Sequence, residues 1–448
     1  MPINKLTDPN LLLSRRSFTA STAAIGAAAV FTYPSFGKIA GLRSENTLKV
    51  GVVGCGGRGT GAVIQALKAD PGSVLWAMGD VFEEQINPCL HYASEAMLDI
   101  DDEQGTDTWI KKIQVGDRKF SGFDAIHKVL ASGVDVMLLT TPPAFRPEHL
   151  RHSIDAKKHV FCEKPVAVDA PGVRSVLESA KKAKEQSLSL MSGFCWRYQD
   201  QVRETMETIH NGGIGELHTI QTTYNTTGWV EPKKRKPEWS DAEFQLRNWQ
   251  YFNCLSADHV AEQAVHAIDW QAWAMQDQTP TRCFGVGGRQ TRPDLDETGN
   301  VWDHFSLIYE YANGARAYHM CRHWPNTPSD NSAYFLGSEG HCTMQPWNGT
   351  HTIEGVQPWK GVAASNDMYQ REHDVLFKSI RDAKPVNDGQ FMSHTSLLAI
   401  MGRMAAYTGG VVTWEQAMNS QVQINEQPWE FGERATPPLA IPGTNETI

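Results

Sequence analysis

A glycine-rich turn between a strand and a helix constrains the fold of this chain more than any other feature of its sequence. Residues 47–53 form a short, apolar run with several valines, and Gly54-Cys55-Gly56-Gly57-Arg58-Gly59 follows directly. Residues 60–67 then have the apolar spacing of a helix. In this strand–turn–helix context, G-x-G-x-x-G predicts a Rossmann unit whose backbone binds a dinucleotide pyrophosphate at the helix N-terminus.

An acidic residue ends the second predicted strand. Residues 74–79 form an apolar run, and Asp80 follows about 20 residues after Gly59. A carboxylate in this position accepts hydrogen bonds from the adenosine ribose hydroxyls and repels a 2′-phosphate. The sequence therefore predicts that the cofactor is NAD and disfavours NADP. An ordinary turn residue at the end of a strand is the alternative.

Helices and buried strands continue to alternate after Asp80. The sequence predicts helices over residues 123–131 and 148–156, and buried parallel strands over 134–140 and 159–162. Residues 97–117 are acidic and irregular, and we interpret them as an exposed insertion. This alternation is typical of a doubly wound α/β sheet.

A lysine follows the last of these strands, in Glu163-Lys164-Pro165. The carboxyl ends of parallel strands face the crevice in which such sheets bind ligands. The proline also restricts the backbone of Lys164 to extended conformations, which limits where the side chain projects. Lys164 is thus a candidate catalytic residue, and a surface lysine in a strand-end loop is the alternative.

Together these motifs, with Thr140-Thr141-Pro142 and His149, resemble those of the Gfo/Idh/MocA oxidoreductases, which include glucose–fructose oxidoreductase and inositol dehydrogenase. The resemblance covers nearly all of the chain after the N-terminal segment, and Glu-Lys-Pro is its most specific local mark. It implies cofactor contacts from a set of residues spread over the glycine turn and the strand ends. These are Gly54, Gly56, Gly57, Arg58, Gly59, Asp80, Thr140, Pro142, His149, Glu163, Lys164 and Arg197. For Arg197, a surface ion pair is the alternative.

A second polar motif lies on a predicted helix over residues 257–274, for which Ser256 is a plausible N-cap. Glu262, His266 and Asp269 have the spacing i, i+4, i+7 and share one helix face. The resemblance implies that Glu/Asp-x-x-x-His is the second catalytic motif of the family, usually with Asp at the first position. We expect His266 to act as general base, Glu262 to orient or charge the imidazole, and Lys164 to stabilise the reacting oxygen. A solvated polar face is the alternative.

The second half of the chain has the pattern of a sheet. Strand candidates are residues 217–225, 282–286, 304–311, 315–321, 333–337 and 341–345. Asn313-Gly314 predicts a tight hairpin between two of them. The resemblance implies a C-terminal α+β domain whose large, mostly antiparallel sheet has an open face that serves homo-oligomerisation.

The N-terminus has the features of a twin-arginine export signal. Ser14-Arg15-Arg16-Ser17-Phe18 precedes an apolar, small-residue run over 19–30, and Ser35-Phe36-Gly37 offers a cleavage site. The apolar run of about 12 residues is shorter than the ~20 that span a bilayer, so no stable membrane anchor is expected. We expect an exported, periplasmic protein; a chance arginine pair is the alternative.

These features divide the chain into three expected parts. They are a signal and linker over residues 1–40, an NAD-binding Rossmann domain over 47–168, and a substrate and oligomerisation domain over 169–440. The formal net charge of −10 argues against a nucleic-acid partner. None of the eight cysteines stands in a C-x-x-C pair, and His259 and His266 lack the i, i+4 spacing of a metal pair, so no metal is expected.

The function expected from the sequence is an NAD-dependent oxidoreductase that acts on a sugar or polyol hydroxyl with a tightly bound cofactor. Tight binding is expected because free NAD is scarce outside the cytoplasm. One alternative is a redox-assisted glycosidase or lyase that oxidises a sugar transiently and recycles its NAD. Another is a non-catalytic, dinucleotide-dependent binding protein, although a regulator has no need to retain Lys164 and His266.

Overall fold

The computed structural model describes residues 47–228, 231–292, 295–361, 366–425 and 428–444. The predicted export signal and its cleavage site lie outside the described residues. In the part of the chain that is described, every helix is too short or too polar to cross a bilayer.

The first sheet has six parallel strands within the described residues, in the order β3-β2-β1-β4-β5-β6. The strands are β1 (Leu48–Val53), β2 (Ser73–Asp80), β3 (Lys119–Ser121), β4 (Val136–Leu139), β5 (His159–Cys162) and β6 (Leu190–Ser192). The strand order reverses between β1 and β4, and such a switch point opens a ligand crevice at the carboxyl edge. The predicted doubly wound fold is confirmed.

Apolar side chains of the central strands point alternately to the two faces of this sheet, and both faces are covered. Val136 and Leu138 pack with one set of helices, whereas Met137 and Leu139 pack with the other. All four are fully buried, as expected for a parallel strand between two helical layers. The helices of this half are Gly57–Ala69, Glu83–Gln104, Ala125–Ala131, Arg146–Asp155 and Ala170–Glu185.

The interpretation of residues 97–117 as an irregular insertion was wrong in part. The helix Glu83–Gln104 runs through its first residues. The Asp101 carboxylate then accepts hydrogen bonds from the backbone of Thr108 and Ile110, both at 2.8 Å. The buried Lys112 ammonium donates to backbone carbonyls of an earlier segment of the same chain, including that of Asp70 at 2.6 Å. These hydrogen bonds therefore give the segment a defined backbone, which its acidic composition alone did not predict.

The second sheet has nine strands in the described residues, in the order β14-β13-β12-β11-β7-β10-β9-β8-β15. Only the β7–β10 pair among these is parallel. The strands are β7 (Leu217–Thr226), β8 (Arg282–Gly288), β9 (His304–Glu310), β10 (Arg316–His323), β11 (Ala333–Gly337), β12 (His341–Gln345), β13 (Thr350–Glu354), β14 (Trp359–Lys360) and β15 (Val412–Thr413). The six predicted strands are confirmed, whereas β13 was missed, as were β3, β14 and β15, which have only two or three residues each.

Helices cover one face of this sheet and leave the other open. The helices that contact the sheet are Asp200–His210, His259–Glu262, Val265–Ala274, Gly389–Thr408 and Trp414–Asn419. The other helices of this half are Asp241–Arg247, Asn253–Ser256, Leu295–Thr298 and Met368–Arg381. The open face carries exposed apolar side chains, of which Val286 is 69% and Leu336 is 53% exposed.

The two halves interlock along the chain. The parallel sheet includes β6, which lies beyond the expected domain boundary at residue 168. The helix Met368–Arg381 also packs against Gly57–Ala69, and its Leu376 and Phe377 join the core beneath β1. Arg381 holds this helix in place through two hydrogen bonds to the Asp70 carboxylate, at 2.8 and 2.6 Å.

Candidate active site

The glycine turn has the geometry that a dinucleotide requires. Gly54 has φ +97°, and a Cβ there would lie 2.7 Å from the backbone of Thr140. A Cβ on Gly59 would lie 1.9 Å from the Gly54 carbonyl oxygen, so this glycine is needed where the helix approaches the strand. A Cβ on Gly56 would meet nothing within 4 Å. The backbone is thus bare on the side where a pyrophosphate would approach.

A cavity of about 210 Å³ lies against this turn at the carboxyl edge of the first sheet. It brings together several of the residues expected to bind the cofactor. Those that line it are Gly54, Gly56, Asp80, Thr140, Pro142 and His149. The Thr140 hydroxyl donates to the Gly54 carbonyl at 2.6 Å and so fixes the two strand ends on either side of the switch point.

Asp80 is held rigidly in the wall of this cavity. Its carboxylate accepts hydrogen bonds from the backbone NH groups of Cys55, at 2.6 Å, and Phe82, at 2.9 Å. Burial raises the pKa of Asp80 above its usual value, while these two NH groups oppose that rise. The carboxylate is therefore fixed beside the glycine turn, where it fits an adenosine ribose.

His149 closes the cavity beside the end of β4. Its Nδ1 lies 3.2 Å from the Thr141 hydroxyl, and its ring stacks on Phe145. Burial lowers the pKa of His149 to about 3. The ring is therefore neutral at physiological pH and contributes hydrogen bonding and contact area to the cavity, with no charge.

Arg58 and Glu163 form an ion pair beneath the turn and do not line the cavity. The Arg58 Nε lies 2.7 Å from the Glu163 Oε1, and the Arg58 Nη2 lies 3.8 Å from the buried Glu372 carboxylate. A Cβ on Gly193 would lie 2.6 Å from Glu163 Oε2, so this glycine makes room for the carboxylate. The cavity lining also excludes Gly57 and Gly59. None of these four residues lines the cavity, and their expected contact with the cofactor stays a prediction.

Lys164 contacts the helical segment that carries Glu262 and His266, at a break in that segment. The predicted single helix over 257–274 is wrong, because Ala257 and Asp258 have φ of +66° and +74° and the helix is interrupted again after Glu262. The His266 NH bonds to Gln263, at 3.4 Å, and not to Glu262. The Glu262 carbonyl instead accepts a hydrogen bond from the Lys164 Nζ at 2.5 Å, and this Nζ lies 3.8 Å from Glu262 Oε1.

His266 lies beside this lysine. Burial, followed by the Lys164 charge, lowers the pKa of His266 well below 6.5. Its ring packs edge-on against Phe194, and its buried Nδ1 makes no hydrogen bond to any residue that the structure describes. The expectation that Glu262 orients the imidazole is therefore wrong: the helix break turns Glu262 towards Lys164.

Arg197 belongs to a separate, structural cluster. Its guanidinium makes a bidentate contact with the buried Asp269, with the shortest distance 2.8 Å, and a second ion pair with Asp277 at 2.8 Å. It also stacks on Phe391, 3.9 Å from the ring centroid. Two carboxylates thus occupy donors of Arg197, which favours the alternative of an ion pair over the expected cofactor contact. Asp269 points to this cluster and to Thr395, away from His266.

Sequence reasoning missed the contribution of the second half of the chain to the cavity. Four residues from the segment 231–251 line it, namely Lys233, Leu246, Arg247 and Trp249. The basic run 233–236 between two prolines was the only local signal, and it suggested an exposed loop. Within the described ranges, no group of three or more His, Cys, Asp or Glu side chains is arranged to hold a metal. All eight cysteines are buried and unbridged.

Comparison with known families agrees with this geometry. Residues 48–192 match the model of the oxidoreductase family with an NAD-binding Rossmann fold, and residues 202–343 match the GFO/IDH/MocA C-terminal domain. The chain belongs to the Gfo/Idh/MocA oxidoreductase family. Its N-terminal half is accordingly an NAD-binding Rossmann domain.

Relatives of this Gfo/Idh/MocA protein include inositol dehydrogenases. It is 30% identical over 262 residues to an inositol 2-dehydrogenase of Rhizobium meliloti, covering 58% of this chain and 69% of that one. It is 27% identical over 177 residues to a myo-inositol 2-dehydrogenase of Thermotoga maritima, covering 39% and 45%. The chain spans about half the length of most of the curated relatives it matches.

Solved structures share the whole fold. The aldose-aldose oxidoreductase of Caulobacter crescentus, complexed with glycerol, aligns with a TM-score of 0.61 at 17% identity. The alignment covers 82% of this chain and 99% of that one. At this identity the likeness establishes the architecture, a parallel Rossmann sheet followed by a mostly antiparallel sheet, and nothing about the substrate.

Proposed function

We propose that this protein is an NAD-dependent oxidoreductase that acts on the hydroxyl of a sugar or polyol. The observation that carries the proposal is the contact of Lys164, at the carboxyl edge of the Rossmann sheet, with the Glu262 carbonyl at 2.5 Å, four residues before the buried His266. An ammonium and a neutral imidazole in the same region are suited to removing a proton from a hydroxyl and stabilising the oxygen it leaves. Inositol dehydrogenases among the relatives support the substrate class.

Each side chain has a distinct part in this proposal. His266 accepts the hydroxyl proton, because its lowered pKa keeps the imidazole neutral at physiological pH. Lys164 donates a hydrogen bond to the substrate oxygen, while Glu262 holds its ammonium in place from the other side. The bound nicotinamide supplies the hydride acceptor. Asp80 and the bare backbone at Gly56 hold the adenosine ribose and the pyrophosphate, which favours NAD over NADP.

We further propose that the protein is exported by the twin-arginine route with its cofactor already bound. The residues that support this are Arg15 and Arg16 with the small apolar run that follows them. A protein that works where free NAD is scarce must retain its dinucleotide, so tight cofactor binding and export belong together.

The test of the main proposal is to identify the nucleotide and follow its redox state. We expect purified protein, once denatured, to release NAD, and the native protein to form NADH when given polyols such as myo-inositol. Protein that carries no nucleotide and binds none on addition would contradict the proposal. Release of a cleaved sugar product without net NADH would instead support the redox-assisted lyase.

The open face of the second sheet supports a proposal of homo-oligomerisation. Val286 on β8 and Met320 on β10 both pair with Ser306 on the intervening β9, and Tyr334 and Leu336 on β11 are also exposed. Several exposed apolar side chains on one sheet are typical of an interface. We expect the native mass to exceed that of one chain, and Leu336→Asp to lower it. A monomeric wild-type protein in light scattering would refute the proposal.

A further inference from the structure

A segment of the second half of the chain reaches over the cofactor cavity. Lys233, Leu246, Arg247 and Trp249 line the same cavity as the glycine turn. The lining also includes Asp80, a position that marks the adenosine half of a dinucleotide in Rossmann domains. We call residues 231–251 the adenosine strap. The strap belongs to the part of the chain that follows β7, so both halves of the protein contribute to one cavity.

Hydrogen bonds from the Asn248 side chain link two parts of the strap that are distant in sequence. The Asn248 Oδ1 accepts a hydrogen bond from the Lys233 backbone NH at 2.7 Å, and its Nδ2 donates to the Lys233 carbonyl at 3.1 Å. Asn248 is almost fully buried. This two-way contact fixes the backbone of Lys233, so that its side chain reaches the cavity while that of the neighbouring Lys234 does not.

Arg247 fastens the strap to the Rossmann half. Its Nη1 donates to the Glu84 carboxylate at 2.6 Å, and its Nε donates to Glu243 at 2.9 Å. Its guanidinium also stacks on Phe82, 3.9 Å from the ring centroid. The backbone NH of Phe82 in turn holds Asp80. Arg247 is thus tied to the residues that position the ribose-binding carboxylate.

The Lys233 ammonium has a different environment. Among the residues that the structure describes, its Nζ makes no hydrogen bond or ion pair within 4.0 Å, although Arg247 and Glu84 lie nearby. A lysine whose backbone is fixed and whose charged end borders a cavity, with no protein carboxylate bound to it, is suited to bind an anionic ligand. The ligand expected in this cavity carries phosphates and ribose hydroxyls.

We propose that the adenosine strap is part of the cofactor site, with Lys233 binding the oxygens of the adenosine ribose and its phosphate and Arg247 holding the strap closed. This inference rests on the proposed use of NAD. The cavity of about 210 Å³ is smaller than the ~300–1,000 Å³ of typical ligand pockets. It is therefore suited to hold one part of a dinucleotide, and contacts from the strap are expected to slow the release of the adenosine. Retention of NAD is the consequence.

Two adjacent lysines provide a matched experiment. Both lysines are exposed, but only Lys233 lines the cavity. Lys233→Ala removes the charged side chain of the cavity-lining residue, whereas Lys234→Ala removes its neighbour in the same run. We expect Lys233→Ala to raise the dissociation constant of NAD+ about tenfold and Lys234→Ala to leave it unchanged. ADP-ribose, which keeps the adenosine half, is expected to weaken like NAD+. Nicotinamide mononucleotide, which lacks that half, is expected to bind both variants equally.

The role of Arg247 is tested by a substitution of its ion-pair partner, Glu84. Replacing Arg247 itself would also remove its packing against several side chains. Glu84→Gln leaves the cavity lining intact and removes the charge that anchors Arg247. We expect it to speed the dissociation of NAD+ in stopped-flow chase experiments several-fold at unchanged thermal stability. Wild-type protein that binds no NAD+ would refute the proposed function and the strap together. Wild-type protein that binds NAD+ no more tightly than Lys233→Ala and Glu84→Gln would refute the strap alone.

Discussion

Replacing Gly56 by alanine separates the binding role of the glycine turn from its folding role. Gly56 has φ −72° and ψ −170°, which alanine adopts without strain. An added Cβ meets no atom of the protein within 4 Å. The free energy of unfolding of nucleotide-free protein should therefore change by no more than about 0.5 kcal/mol.

The same methyl group stands on the bare backbone that faces the cavity, where a pyrophosphate must approach closely. Overpacking by one methyl group in a tight contact costs about 1–3 kcal/mol, which corresponds to a roughly 5- to 150-fold rise in the dissociation constant of NAD+. Titration calorimetry on nucleotide-free protein measures this change, and thermal unfolding of the same sample measures stability.

Gly59→Ala is the matched control. Its Cβ would lie 1.9 Å from the Gly54 carbonyl oxygen and 2.9 Å from Thr140 Oγ1, so it should destabilise the nucleotide-free protein by about 1–3 kcal/mol. A Gly56→Ala protein that binds NAD+ as tightly as wild type, or that unfolds as easily as Gly59→Ala, would contradict the binding role assigned to Gly56.

Four further outcomes are expected. Lys164→Met should lower kcat for polyol oxidation by about 10²–10³, since it removes the donor to the substrate oxygen; steady-state NADH formation measures this, and a change below threefold would contradict the role. The value of kcat/KM should stay constant from about pH 8 to below 6.5, because burial and Lys164 lower the pKa of His266, and an acid limb centred at or above 6.5 would exclude His266 as the base. Glu372→Gln should raise the melting temperature at about pH 8 and not at about pH 4. Burial raises the pKa of Glu372 in the folded protein, so this carboxyl ionises at a lower pH in the unfolded chain. The folded state therefore loses stability as the pH rises above the unfolded pKa, and glutamine removes that loss. Arg197→Met should lower the free energy of unfolding by about 3–5 kcal/mol, because it leaves Asp269 buried without its partner. The dissociation constant of NAD+ should stay unchanged, and a rise in it would contradict a purely structural role.

The fold was predictable where the chemistry is local. The buried strands of the Rossmann sheet are continuous apolar runs, and the glycine turn needs residues without side chains at two of its close approaches. Gly54 and Gly59 each stand where a Cβ would collide with backbone, so the sequence carries that requirement directly. The same holds for Asn313-Gly314, whose turn joins the antiparallel pair β9 and β10.

The parts that escaped prediction depend on contacts between distant segments or on strained backbone. The helix break at Ala257 and Asp258 places two residues other than glycine in the left-handed region, so no glycine or proline marks it. The contact of Arg247 with Glu84 joins residues 163 positions apart, and no periodicity encodes it. Arg197 fits a cofactor site and a buried ion pair equally well in sequence, and only the positions of the two carboxylates decide between them.

The return of the helix Met368–Arg381 to the Rossmann half has a consequence for how the protein is made. Arg381 bonds to Asp70 across 311 residues of chain, and Leu376 and Phe377 complete the core under β1. A ribosome therefore releases the glycine-turn helix long before it releases the helix that covers it. Until then the nascent chain carries an uncovered apolar surface, which is where a chaperone is expected to bind. A protein cut before residue 368 therefore lacks part of the core on which its first domain depends.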